Sequence, residues 1–174
     1  MIDTTATIET DRLLLRAPRM DNAARLAELA NDFAVTRMTG RMPHPYALED
    51  AVEWIGRAAA KDPRAETAFV IDHRDHGLVG AISLFHGDEP FQEVGYWIGR
   101  PFWGRGVASE ALLALVDRAG RDGRRALVAG HFVDNPASGV VLEKAGFLYT
   151  GVVATLFSRA RGEAAPTRRM IRLA

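Results

Sequence analysis

Apolar and polar positions along this chain alternate between a strand-like and a helix-like period, and the switches between the two mark out its elements. Leu13 to Ala17 reads as a short strand. A helix is predicted from about Asp21, an N-cap candidate, with Ala23, Leu26, Ala27 and Ala30 sharing a face. A loop rich in Pro, Gly and Met, around Met38 to Pro45, comes next. A second helix is predicted over about Leu48 to Lys61, with Ala51, Val52, Ile55 and Ala59 inward and Glu49, Asp50, Glu53 and Arg57 outward. Ala47, just before it, offers no hydroxyl cap. Thr67 to Asp72 and Leu78 to Phe85 read as a hairpin around His73 to Gly77, and Gln92 to Ile98 as a third strand of an antiparallel meander.

The stretch GRPFWGRGV, from Gly99 to Val107, is too rich in Gly and Pro to be regular, and a helix starts directly after it. Ala108, Ala111, Leu112, Leu115, Val116 and Ala119 form its single buried stripe. Ala126 to Val133 is nearly continuously apolar, as expected of a strand covered on both faces and paired in parallel after a helical crossover. In DNPASGVVLEKAGF, Asn135 as N-cap, Pro136 at the first position and Gly146 just past the end frame a short helix. Phe147 to Val153 and Thr167 to Leu173 follow as closing strands, with Arg159 to Pro166 as a hairpin loop. The fold class is mixed α/β.

With 174 residues, residues 1–174 are expected to form a single domain. Basic and acidic residues both number 22, so no overall field recruits nucleic acid or an anionic membrane, and any anion site must be local. Lys61 and Lys144 are the only lysines; the arginine bias hints at a bacterial source. The absence of cysteine excludes disulfides, thiolate metal sites and a cysteine nucleophile. The polar start and the shortness of apolar runs such as Ala111 to Val116 point to a cytoplasmic protein without a membrane span.

A strand ending at Ile98, a loop holding Gly104 and Gly106 and a helix from about Ala108 would aim several unpaired N–H groups at one point, where an anion can settle. Arg100 and Arg105 could assist. Taken alone, Gly-x-Gly before a helix equally fits a tight turn. A P-loop would need Lys and Ser/Thr after the last glycine, where Val107 and Ala108 stand, and a dinucleotide fingerprint would need Gly at position 109, which is Ser109.

The segments EVGYWIGRPFWGRGVASEAL, DNPAS and LEKAGF, in this order and spacing, resemble the GNAT superfamily of acetyl-CoA-dependent N-acetyltransferases. TDRLLLRAP near the start and WGRGVASEAL are similar to its RimJ/RimL-like branch, whose named members acetylate α-amino groups of ribosomal proteins. The resemblance runs from about Ile8 to Leu173. It implies a mixed, mostly antiparallel sheet of about seven strands flanked by helices, with a V-shaped splay between the fourth and fifth. It also implies acetyl-CoA as co-substrate, no metal and an amine-bearing acceptor. Similar sequences serve peptide termini, polyamines, amino acids and antibiotics.

The family's pyrophosphate loop falls on Trp103, Gly104, Arg105, Gly106, Val107 and Ala108, with Ser109 next; Trp103 departs from the Gln or Arg that usually opens it. By the same resemblance Trp97 to Gly99 edge the cleft, the Ile98 amide donates to the thioester carbonyl, Asn135 and Ser138 lie against the cofactor, and Leu142 and Lys144 lie near its far end. Glu93 matches a position where some relatives carry a carboxylate that removes the amine proton through water; its alternative is an exposed carboxylate paired with an arginine. The tyrosine that many relatives use to protonate the thiolate is replaced by Leu142, leaving Ser138 as first candidate, against a serine that only bonds its own helix start, and Tyr149 as second. At pH 7 a lysine-type amine costs about 4.6 kcal/mol to deprotonate and an α-amine about 1, so an α-amine manages with a weak base.

His73 and His76 read as a solvated turn, His86 and His131 as strand-end caps, and Trp54, Trp97 and Trp103 as core or surface residues. The leading reading is acetyl transfer to a peptide or protein α-amine, with no nucleic-acid or membrane partner and a homodimer left open. Its rivals are acetylation of a small amine in a pocket closed by Met38 to Tyr46 and Arg159 to Pro166, and a non-catalytic acyl-CoA-binding module.

Overall fold

The computed structural model describes residues 7–60, 66–87 and 90–173. Its centre is an eight-stranded sheet in the order β1-β2-β3-β4-β5-β6-β8-β7. The strands are β1 (Ile8–Glu9), β2 (Leu13–Arg16), β3 (Thr67–His73), β4 (Gly77–His86), β5 (Gln92–Ile98), β6 (Ala126–Phe132), β7 (Leu148–Ser158) and β8 (Glu163–Leu173). The helices are α1 (Ala23–Ala30), α2 (Phe33–Thr36), α3 (Leu48–Ala60), α4 (Val107–Arg121) and α5 (Pro136–Lys144). Neighbouring strands run antiparallel except β5 and β6, which run parallel.

The strand total exceeds the expected seven, because the two-residue β1 adds an edge that its length hides from periodicity. The splayed pair is accordingly β5 and β6. Asp21 lies in a 3-10 turn, Met20–Asn22, and α1 begins at Ala23. Along α3 the buried stripe is Ala51 and Ile55 with Trp54 packed beside them; Val52 is 41% exposed and Ala59 also faces solvent. The large Trp54 side chain turns the helix by about one position from the expected face. Asp50 Oδ2 accepts from the Ala47 amide at 2.8 Å, a carboxylate serving where no hydroxyl stands. The expected last residue of this helix, Lys61, lies outside the described residues, as does the start of the chain through residue 6.

The closing strands are longer than expected: the Arg159–Pro166 loop shrinks to Arg159–Gly162, since Ala164, Ala165 and Pro166 pair with β7. Pro166 is tolerated because it needs no ladder donor at its position. His73 is also not a solvated turn residue. It is 9% exposed, its ring lies 4.7 Å from that of His76, and His76 stacks on Phe102 at 5.4 Å. His76 itself stays exposed in the turn, as expected.

The core lies on both faces of the sheet. Leu26, Ala51 and Ile55 enter it from α1 and α3, and Ala111, Leu112, Leu115, Val116 and Ala119 from α4, as the periodicity predicts. Leu142 and Phe147 close it beside β6 and β8, next to Met170, which is fully buried.

Candidate active site

The site begins where the sheet opens. β5 and β6 share two ladder positions, Gln92 with Leu127 and Glu93 with Val128, and none is found beyond them although both strands continue. The Gly99 amide donates to the Val79 carbonyl at 2.8 Å, so the alternation of the β4–β5 ladder turns the N–H and C=O of Ile98 and Tyr96 the other way, into the gap. An unpaired strand edge of this kind accepts an extended, amide-bearing ligand as a further strand.

At the end of β5 the chain makes a 3-10 turn, Arg100–Phe102, and enters the glycine loop. Trp103 Nε1 donates to the Ile98 carbonyl at 2.6 Å, so the indole fastens the loop to the strand end while its ring stays 45% exposed. Gly104 and Gly106 have φ of +70° and +76°, a conformation that side chains with a Cβ rarely adopt. The first bond of α4 runs from the Glu110 amide to the Gly106 carbonyl at 3.0 Å, so the amides of Val107, Ala108 and Ser109 stand outside the helix ladder. Val107 buries its side chain beneath them; Ala108 and Ser109 are half-buried. Arg105 is exposed, 6.0 Å from the Phe102 ring centroid, and its carbonyl accepts from Arg12 Nη1 at 3.0 Å.

Behind the loop stands a charged brace. Glu110 receives Arg12 Nε and Nη2 at 2.7 Å each, the Arg12 amide at 3.0 Å and the Thr10 hydroxyl at 2.6 Å. Desolvation alone would raise the Glu110 pKa, but these hydrogen bonds and the Arg12 charge outweigh it and hold the carboxyl below its ordinary value.

The opposite wall is the start of α5. Asn135 caps it, its Oδ1 accepting from the Ser138 amide at 3.4 Å. Ser138 Oγ lies 2.8 Å from the Tyr96 hydroxyl, which also reaches the Ser138 carbonyl at 3.3 Å. The phenol thus bridges β5 and α5. Burial pushes the Tyr96 pKa up to about 12, with the Ser138 hydrogen bond opposing it, so the group is a donor at any physiological pH. One residue on, a Cβ at Gly139 would sit 2.6 Å from the Tyr149 hydroxyl and 2.9 Å from His131 Nε2. Those two atoms are themselves 3.1 Å apart, and His131 Nδ1 faces the Phe132 carbonyl at 2.9 Å. His131 thus meets the last carbonyl of β6, as a strand-end cap does, while lying buried beneath α5. Leu142 is 1% exposed and faces the core, while Lys144 is exposed on the last turn.

Glu93 is held by Arg169 through two bonds, Oε1 to Nη1 at 2.8 Å and Oε2 to Nη2 at 3.1 Å. Asp134, after β6, takes Arg161 at 2.8 Å on both oxygens and Arg37 Nη2 at 2.6 Å. The Arg161 hydrogen bonds come first, against desolvation, in keeping its pKa low. Arg161 Nε also donates to the Arg37 carbonyl at 2.7 Å and Ser158 Oγ to the Thr39 carbonyl at 3.0 Å, which ties the segment after α2 to the β7–β8 turn. Tyr96, Arg12, Glu110 and Asp134 escape sequence reasoning. Tyr96 alone carries a local signal, a polar tip on a strand position whose neighbours Val94 and Ile98 are buried.

Residues 12–148 match the acetyltransferase (GNAT) domain. The chain belongs to the GNAT acetyltransferase family. Among curated GNAT relatives, the ribosomal-protein-serine acetyltransferase of Escherichia coli (strain K12) is 38% identical over 87 residues, 48% of this chain and 48% of that protein. The match thus spans about half the relative's length. Of solved structures, a RimL ribosomal L7/L12 α-N-protein acetyltransferase in complex with coenzyme A superposes with a TM-score of 0.83 at 23% identity, covering 97% of this chain and 98% of that one. A spermidine N-acetyltransferase from Vibrio cholerae in complex with CoA and spermine gives 0.76 at 20% identity, covering 94% and 96%. These likenesses carry the GNAT fold.

Proposed function

We propose that the chain is a single acetyltransferase domain that transfers the acetyl group of acetyl-CoA directly to an α-amine of a peptide or protein. The observation that carries this reading is the opened β5–β6 ladder, which leaves the Ile98 amide without a strand partner, followed along the chain by three amides outside the ladder at the α4 start. The ordinary needs of acetyl-CoA match this edge: hydrogen-bond partners along an amide-bearing arm and a cradle for a diphosphate. The amides of Val107, Ala108 and Ser109, with Arg105 nearby, would hold the diphosphate; Trp97, Ile98, Asn135 and Ser138 line the arm, and Lys144 supplies a cation farther along α5. Leu142 supports that wall from within the core. The Ile98 N–H stabilises the oxyanion as the amine nitrogen bonds to the thioester carbon. The C–S bond then breaks, nitrogen sheds one proton and sulfur gains one, with the Ser138 hydroxyl as donor to the thiolate and Tyr149 as the reserve.

The acceptor follows from the carboxylates. Glu93 and Asp134 are both engaged by arginines. Each Glu93 oxygen retains a lone pair, which lets Glu93 receive the amine proton through water while it stays bound to Arg169. Such help is weak, and it suffices for an α-amine, whose deprotonation at pH 7 costs about 1 kcal/mol, better than for a lysine-type amine at about 4.6. The curated relative's name points to the same acceptor class. We take the site of action to be the bacterial cytoplasm; no described helix is long and apolar enough to cross a membrane.

One observation favours a second reading, acetylation of a small amine: the ties from Ser158, Arg159 and Arg161 to the segment at Arg37–Arg41 wall off one side of the site. An acceptor screen with acetyl-CoA decides between them, comparing peptides of varied first residue with polyamines, amino acids and aminoglycosides by mass and thiol release. Acetylated peptide termini are expected. Acetylation confined to small amines would transfer the assignment to them, and binding of acetyl-CoA with no thiol released from any mixture would make the chain a non-catalytic acyl-CoA-binding module.

A further inference from the structure

We propose that Tyr96 is a positioning residue for acetyl transfer, its phenol holding the Ser138 hydroxyl so that the serine proton is aimed at the sulfur as the C–S bond breaks. The inference rests on the acetyltransferase reading and adds to it the group that makes a serine at this place effective.

Tyr96 and Ser138 come from opposite walls of the gap, one on β5 and one in the first turn of α5, and their hydroxyl oxygens are 2.8 Å apart. A serine hydroxyl rotates freely, and two arrangements satisfy the pair. In one, the phenol donates to Ser138 Oγ and the serine proton is free to point into the gap. In the other, the phenol donates to the Ser138 carbonyl, 3.3 Å away, and the serine proton is spent on the phenol oxygen. The 2.8 Å separation serves either direction, and a sulfur departing in the gap selects the first, the only arrangement in which the serine proton can meet it. The phenol cannot lose its own proton near neutrality, since burial raises its pKa to about 12. It therefore remains a donor, and every donation to Oγ leaves the serine proton available.

The alternation of β5 makes the contact possible: Tyr96 shares the face of Val94 and Ile98, the face that α4 and α5 cover. No charged group intervenes, so the pair is a neutral relay whose only task is orientation. As sulfur departs it accepts a hydrogen bond from the Ser138 hydroxyl, which passes its proton on only as Oγ receives another. Oγ is reprotonated from the water that received the proton shed by nitrogen, so the reaction balances without an added acid. A positioned hydroxyl suffices here because a thiolate, unlike an alkoxide, is a modest base, with a thiol pKa of about 8.5.

The test is a double-mutant cycle of Tyr96→Phe, Ser138→Ala and the pair, read as kcat, KM for acetyl-CoA, and the rise in Tm that coenzyme A produces. Tyr96→Phe is expected to lower kcat by roughly five- to tenfold, the effect of one oriented hydrogen bond, with KM and the coenzyme A-induced shift within about twofold of wild type. The double variant should turn over no more slowly than Ser138→Ala, because the phenol acts through the serine. Unchanged kcat in Tyr96→Phe overturns the inference, as do effects of the two substitutions that multiply. A Tyr96→Phe protein that fails to fold or loses the coenzyme A shift assigns the phenol to architecture and overturns it too. Wild-type protein that releases no thiol with any amine defeats the acetyltransferase reading itself, a result distinct from all of these.

Discussion

Arg12 and Glu110, 98 positions apart in the chain, are joined by two side-chain contacts of 2.7 Å, and the backbone amide of Arg12 adds a third bond at 3.0 Å. Arg12 extends on to the Arg105 carbonyl, so the pair ties the N-terminal edge of the sheet to both the first turn of α4 and the glycine loop before it. The amides that we assign to the diphosphate are thereby held before any ligand arrives. Glu110→Gln keeps the shape and removes the charge. It should lower stability by about 1–2 kcal/mol, since charge-assisted hydrogen bonds in a partly exposed network become neutral ones, and weaken coenzyme A binding in a titration. The pH dependence has a definite sign. A carboxyl held below its ordinary value of 4.5 contributes fully above that pH and loses its contribution as pH falls through the depressed value. Wild type should therefore lose thermal stability more steeply below pH 4.5 than the Gln variant does.

Gly106 carries a φ of +76° at the turn into α4, and a Cβ there would also lie 3.4 Å from Arg12 Nη2. Gly106→Val forces a β-branched residue into the left-handed region at a cost of about 1–2 kcal/mol or more, which lowers Tm by roughly 2–8 °C. The more specific expectation is loss of the coenzyme A-induced rise in Tm. A folded Val variant that keeps the full rise would separate this elbow from the diphosphate.

Much of this architecture is legible along the chain, because long amphipathic stretches leave little choice. β5 falls on its expected bounds, α5 is framed by Asn135 and Gly146 as read, and the stripe of α4 agrees except that Val107 is the more buried residue and Ala108 half-buried. The failures share a physical cause. Val52 and Ala59 were expected inside α3, but Trp54 has far more apolar surface to bury and sets the helix rotation. His73 is buried at the end of β3 with its ring against that of the exposed His76, and the charged braces join residues far apart in sequence, such as Arg161 and Asp134. Periodicity reports local faces and cannot report which distant side chain a polar tip meets; Tyr96 illustrates this most directly.

Ser138 is the sole hydroxyl of the α5 N-terminal turn and is bonded to Tyr96 across the gap. Ser138→Ala leaves the Asn135 cap intact, because that bond uses the Ser138 amide. The variant should lower kcat by about ten- to a hundredfold, the lower part of the range for loss of a proton-donating group, with KM for acetyl-CoA nearly unchanged. Steady-state kinetics with a peptide acceptor provides the comparison, and wild-type kcat would remove the serine from the mechanism.

Glu93 on β5 and Arg169 on β8 form a two-pronged pair, the guanidinium reaching over Gly130 of β6. Glu93→Gln turns two charge-assisted bonds to the largely buried Arg169 guanidinium into at most one neutral one, so Tm should fall. If the carboxylate also passes the amine proton to water, kcat/KM should drop by more than tenfold at pH 7 and recover as pH rises past about 8, where an α-amine is already neutral. A drop independent of pH would mark the pair as a strut alone.

Gly139 provides the sharpest test of how α5 is seated. Its missing Cβ lets the helix approach within reach of His131 and Tyr149, which would stand 2.9 Å and 2.6 Å from that atom. Tyr149 is 42% exposed and can swing outward, but His131 is 6% exposed and anchored to the Phe132 carbonyl, so it has nowhere to go. Gly139→Ala must then lift the first turns of α5 by several tenths of an ångström, despite the gain of about 1 kcal/mol in helix propensity that Ala normally brings. Because Ser138 precedes it, the shift lengthens the Tyr96–Ser138 contact. Tm should stay level or fall and kcat should fall with it, whereas an unstrained site would raise Tm and leave kcat alone. Pairing the substitution with His131→Ala, which clears the space, should restore part of the lost kcat; without that recovery the seating of α5 on His131 is not what aligns the serine.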